Sequence, residues 1–269
     1  MPTGGALDGD SPKRGLYCLG MKNIGFWAGL ILVLGFSAGH AAKSVVFEFD
    51  KCFSNLEKNE ARGIEMNARY VERRDGALHI KTESGKVVVL RDDKVDNDRL
   101  SLHSFCGFAE DIGHHVVRWR GYEHGGLILV DGVSGKELFV SSTPELSPDR
   151  SRFVTRYFDI DMDPHNNTIE IGSIHKDGAE MDFRIRCQPF FKRAFVWGAA
   201  KVDWIDNDTL SVTREGFAYE PNFHDVLDMN KWIIKVTKKS VKIFEVVDGK
   251  RVPVKIPKGG LVPVKKKTK

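Results

Sequence analysis

The chain has 269 residues, 41% hydrophobic and 10% aromatic, which is enough apolar material for a packed core and excludes a wholly disordered protein. Its net charge of +4 is small but unevenly placed: residues 231–269 carry 13 Lys or Arg against 2 Asp or Glu, whereas residues 42–230 carry 25 against 33. A basic end on a mildly acidic body fits an anionic surface as partner for the Lys-rich tail; with no aromatic residue among the last two dozen to stack on bases, no nucleic acid is expected.

Residues 1–20 show no structural pattern, and Met21 reads as a natural start, so 1–20 are taken as an upstream extension. Met21-Lys22-Asn23 is followed by an apolar run over 24–36 and then by Ser37-Ala38-Gly39-His40-Ala41. A charged head, a short apolar stretch and small residues describe an export signal over 21–41, cleaved after Ala41. The 13 apolar residues fall short of the ~20 a spanning helix needs. The protein is therefore expected to be exported, periplasmic or secreted. The alternative is an inner-membrane anchor formed by residues 21–42, because 25–42 hold no Asp, Glu, Lys or Arg.

The body, residues 42–254, reads as short strands and glycine turns. Residues 43–53 alternate and suggest a strand; 54–62 are polar and suggest a short helix. Asp75-Gly76 and Ser84-Gly85 separate alternating segments in an antiparallel meander. After a charged loop at 91–99, strands are expected at 100–108, 115–122, 127–130, 136–140, 153–162 and 168–174. In 180–187, Met181, Phe183 and Ile185 alternate with Asp182, Arg184 and Arg186, which predicts one apolar face. A hairpin follows around Asn207-Asp208, then a loop at 216–230, then a last hairpin around Asp248-Gly249. Residues 255–269 form a basic, flexible tail. No segment after the export signal sustains a helical period over three turns, so the fold class is all-β.

Turn glycines Gly85 and Gly135 are 50 residues apart, and Gly135 and Gly178 are 43 apart, a spacing that suits propeller blades. Ser147-Pro148-Asp149, followed by Arg152-Phe153-Val154, resembles the corner of a WD-type blade. Trp204-Ile205-Asp206-Asn207-Asp208-Thr209-Leu210 resembles the strand-turn-strand of the same class. The chain thus resembles exported bacterial proteins with β-propeller-like blades, the likeness covering residues 76–214. It implies antiparallel meander blades, four to five or an incomplete ring, with a two-sheet β-sandwich as the alternative. The corner departs from the pattern at Arg150, where blades carry glycine.

Asp159, Asp161, Asp163, Asn167 and Glu170 fall at positions 1, 3, 5, 9 and 12 of a calcium loop, but position 6 is Pro164 instead of the required glycine, and the flanks are strands. The bland reading leaves these aspartates on the solvent side of a strand. His114 and His115 are adjacent on a strand and point to opposite faces, which does not suit a shared metal. There is no GxSxG elbow and no phosphate loop, so neither catalytic residues nor a cofactor are assigned. Of the exported cysteines Cys52, Cys106 and Cys187, Cys52 and Cys106 are the expected disulfide, each beside an aromatic residue; three buried free thiols are the other reading. The expected function is a binding or scaffolding protein for an unknown protein or envelope polymer, using loops at one end of the blades, with 91–99 and 216–230 as candidates. An envelope hydrolase and a membrane-anchored structural protein are the alternatives.

Overall fold

The computed structural model describes residues 47–54, 56–95, 99–159, 167–187, 195–220 and 223–264. The fold is all-β, in four antiparallel sheets, none of which closes on itself. Each sheet is built on strands consecutive in sequence, and one late strand from the C-terminal end joins the third. The first holds β1 (Val71–Arg74), β2 (Ala77–Lys81) and β3 (Val87–Arg91). The second holds β4 (Leu102–Ala109), β5 (His114–Arg120), β6 (Gly125–Asp131) and β7 (Glu137–Val140). The third holds β8 (Glu145–Leu146), β9 (Arg152–Tyr157), β10 (Thr168–His175) and β11 (Gly178–Arg186). The fourth holds β12 (Phe195–Asp206), β13 (Thr209–Glu220), β14 (Phe223–Val236), β15 (Val241–Val247) and β16 (Lys250–Pro253). The sheets pack face to face in sandwich fashion, but there are four of them instead of two.

Local chemistry sets the meanders. Asp75-Gly76 and Asp248-Gly249 both take positive φ at each residue, the two-residue turn whose twist matches that of the flanking strands. The sheets are apolar on both faces where they are sandwiched, and adjacent residues of one strand serve different cores. Val116 packs with Leu127, Leu129, Phe153 and Ala179 between the second and third sheets. Its neighbour Val117 packs with Val71, Leu78 and Ile80 between the first and second. Phe153 and Val154 divide in the same way, Val154 joining Ile169, Ile171, Trp197 and Trp232 between the third and fourth. Burial on both faces gives runs such as Val116-Val117, in which alternation disappears.

Three expectations are corrected, and the short helix is borne out with a later end. The strand expected at 43–53 is, in its described part, a 3₁₀ turn, Phe49–Phe53. Its three-residue period brings Phe49 and Cys52 together on the core between the second and third sheets. The short helix is α1 (Leu56–Met66), three turns long, lying on β4, where Gly63 lets its backbone approach Phe105 and Cys106 closely. The loop expected at 216–230 is instead the far half of the β13–β14 hairpin, paired as far as Glu220 with Phe223. Backbone pairing carries these strands past the point where side-chain alternation stops signalling them. Within the stretch expected to be a loose tail, Leu261–Pro263 forms β17 and pairs with the open edge of β11.

The apolar face expected for 180–187 is also split. The β10–β11 register slips between Ile171 and Gly172, leaving Asp182 as an extra residue. Met181 packs toward the second sheet, whereas Phe183 and Ile185 enter the core with the fourth. A bulge of one residue reverses the facing of everything after it. It thereby turns Arg184 and Arg186 to the side that Met181 occupies.

The two segments that carry the propeller resemblance meet. The backbone N–H of Asp149 donates to Asn207 Oδ1 (3.1 Å), Arg152 pairs with Asp208 (3.3 Å), and Trp204 Nε1 donates to the Glu145 carbonyl (2.8 Å). Arg150 takes the left-handed conformation expected of the missing glycine, with φ +59°.

Candidate ligand groove

A groove of about 940 Å³ is lined by residues of the first, second and third sheets. Two cross-strand rows of the third sheet form one wall. In the first, Thr155, Glu170 and Arg184 are register partners across β9, β10 and β11; in the second, Tyr157, Thr168 and Arg186 are. The bulge at Asp182 puts the two arginines there.

Glu170 is 4% exposed and fully engaged. Its Oε2 accepts from Ser141 (3.0 Å) and Thr155 (3.1 Å), and its Oε1 accepts from Arg184 Nε (2.8 Å) and Nη2 (2.5 Å). A planar guanidinium held by two of its donors is fixed in orientation while its third nitrogen points elsewhere. Arg184 remains 44% exposed, so the buried carboxylate aims a cation at the groove.

The second sheet supplies rings. Trp119 and Phe139 meet edge to face, centroids 5.4 Å apart, and Trp119 Nε1 donates to Ser101 (2.9 Å). Phe139 lies over Gly126, where a Cβ would come within 2.8 Å of its ring and 2.4 Å of the Val140 carbonyl, so only glycine allows this placement. His124 stands edge-on to Tyr157 at 6.4 Å. Leu90, His103, Ile128 and Glu137 complete the lining.

Ser141 and Tyr157 also line an adjoining polar recess of about 380 Å³ that contains Asp50, Thr143, Glu145 and Arg156. Burial, reinforced by the charges of Asp50 and Asp203, holds the Glu145 carboxyl above the usual carboxylate range.

Of the residues with calcium-loop spacing, Asp161 and Asp163 lie outside the described residues. Asn167 is fully buried, its Oδ1 accepting from the Asp159 backbone (2.7 Å) and its Nδ2 donating to the Trp197 carbonyl (3.1 Å). Asp159 Oδ2 accepts from Tyr157 (3.1 Å). With Glu170 saturated by Ser141, Thr155 and Arg184, these side chains fasten strands instead of converging on one point. Among the described residues no three His, Cys, Asp or Glu side chains are grouped to hold a metal.

His114 and His115 do face opposite ways. His114 Nδ1 donates to the Ile112 carbonyl (2.6 Å), while His115 lies among Tyr70, Phe105 and Phe108. Desolvation lowers the pKa of both, His115 to about 4. Cys52 and Cys106, the expected pair, are neighbours and both are thiols; Cys187 is a third, buried beside Trp197, whose Nε1 donates to its carbonyl (2.6 Å).

Among the described residues, neither 91–99 nor 216–230, the expected binding loops, contributes to the lining of the groove. Its residues come from eight strands and their ends, between 90 and 186, each of which reads locally as ordinary strand. The available signal was the cluster of Trp119, Phe139 and Tyr157 near strand ends, and no spacing rule joins them. No protein-family model matches the chain, and no curated protein matches it at a significant level. Among the described residues no helix is long and apolar enough to cross a membrane.

Proposed function

We propose that the protein is an exported binding protein that takes an envelope glycan in the groove lined by its first three sheets. The observation that carries this reading is that the Trp119–Phe139 ring pair and an arginine aimed by a buried glutamate line one groove. Aromatic faces suit the C–H face of a sugar ring, and convergent Arg184, Ser141 and Tyr157 suit hydroxyls and carboxylates, the usual pattern of an apolar wall with a few placed polar groups. Export rests on the 21–41 signal, and the propeller-like reading on the sequence resemblance of the Ser147-Pro148-Asp149 corner and the Asn207-Asp208 turn.

The test is sedimentation with insoluble peptidoglycan, with cellulose as control. Binding to peptidoglycan that Phe139→Ala and Arg184→Gln each weaken at least tenfold supports the reading. Equal binding by both variants, or none by the parent protein, overturns it.

A second reading, an envelope hydrolase, draws on one observation: the raised Glu145 carboxyl in the polar recess has the character of a general acid. Release of soluble sugar from peptidoglycan, abolished by Glu145→Gln, would favour it over simple binding.

A further inference from the structure

We propose that Cys52 and Cys106 form an oxidisable clip that ties the N-terminal 3₁₀ turn to the second sheet. Cys52 sits on the turn and is 4% exposed, within the core between the second and third sheets. Cys106 is the extra residue of a bulge in β4, where Phe105 faces Val117 and Gly107 faces Val116, leaving Cys106 unpaired in the ladder. The bulge turns its sulfur toward the turn. Cys106 is close enough to be, with burial, the main cause that pushes the Cys52 thiol up, and the Cys106 thiol donates to the Ser104 carbonyl (3.8 Å).

Both cysteines line one cavity of about 370 Å³ with Phe47, Asn59 and Gly63. Cys106, half-buried on its wall, is the sulfur a small reagent reaches first. Cys187 lies in the separate core between the third and fourth sheets.

What the clip encloses gives it a purpose. The segment from 52 to 106 contains α1 and the whole first sheet. That sheet has three strands, the fewest of the four, and covers the second sheet from one side only. A bridge at its two ends restricts the unfolded chain where the folded one has least to hold it.

The chemistry is exchange with a disulfide, either that of a thiol–disulfide oxidoreductase or a small one such as oxidised glutathione. The Cys106 thiolate attacks one sulfur of the oxidant and expels a thiolate. The Cys52 thiolate then attacks the Cys106 sulfur and expels the second. Two electrons pass to the oxidant, and the two protons lost by the cysteines go to its thiols.

The test treats the full chain with oxidised and reduced glutathione, blocks remaining thiols under denaturing conditions, and maps the digest by mass spectrometry. The expected result is a peptide linking Cys52 to Cys106, with Cys187 alkylated. The melting temperature should rise on the order of 5–10 °C over the reduced protein. Cys106→Ser should melt at one temperature whatever the redox state, and so should Cys52→Ser. Recovery of Cys52 and Cys106 both alkylated, a bridge to Cys187, or glutathione adducts alone would each overturn the proposal. None of these outcomes depends on the groove or its ligand.

Discussion

Glu170 and Arg184 are cross-strand partners of opposite exposure, the carboxylate buried and the guanidinium 44% exposed. Their removal should therefore be unequal. In Glu170→Gln the amide oxygen still accepts from Ser141 and Thr155, and Arg184 turns to water. Arg184→Met strands a buried carboxylate. We expect a loss of about 1 kcal/mol for the first and about 3 kcal/mol for the second in urea unfolding.

Arg150 occupies a glycine conformation, yet replacing it with glycine should not help. Its guanidinium pairs with Asp111 at 2.5 Å, and that carboxylate is 1% exposed. Relief of the left-handed backbone is worth about 1 kcal/mol, while stranding the carboxylate costs about 3 kcal/mol. Arg150→Gly should thus destabilise by about 2 kcal/mol, and adding Asp111→Asn should recover part of that. Denaturant midpoints of the single and double variants check the order.

Acid should weaken the fold before most carboxylates titrate. His114 and His115 have folded pKa values below that of the unfolded chain, so the unfolded chain takes up their protons first. Their stabilisation is complete above pH 6.5 and is lost as pH falls, for His115 through about 4, at up to about 1.4 kcal/mol per pH unit for each. Asp131 opposes the shift in both, and Lys136 reinforces it at His114. Urea midpoints across this window should fall, and less steeply in His115→Phe, whose ring suits the surrounding Tyr70, Phe105 and Phe108.

Gly172 marks the bulge that reverses β11. A Cβ there would lie 2.2 Å from the Phe153 ring and 2.4 Å from the Glu180 carbonyl. Gly172→Ala should cost about 1–3 kcal/mol by displacing Phe153. It should also reduce peptidoglycan binding, because the facing of Arg184 depends on that bulge.

Much of the architecture was legible in the sequence, because hairpins are local. Asp75-Gly76, Gly135, Gly178 and Asp248-Gly249 mark turns that the chain makes wherever its other parts lie. What could not be read is what depends on distant partners. The bulge at Asp182 leaves a perfectly alternating string, so Met181 and Phe183 look alike until the partner strand shows the slip. The far end of the β13–β14 hairpin lacks a clear period, although its backbone stays paired. The groove was illegible for the same reason: Arg184 belongs to it through Glu170, fourteen residues away, and Phe139 through the bare backbone at Gly126.

The return of β17 to β11 makes the order of synthesis matter. The first two sheets are complete once residue 140 has been made, and both can form while the rest of the chain is still emerging. The third begins at residue 145 but gains its outermost strand only at residues 261–263, after all the strands of the fourth. Until then the edge of β11 stays open to any extended peptide, including a second nascent copy. A chain that stops before residue 261 would contain every element of the groove and still leave that edge adhesive. A premature stop there is therefore expected to yield aggregates while leaving the binding residues in place.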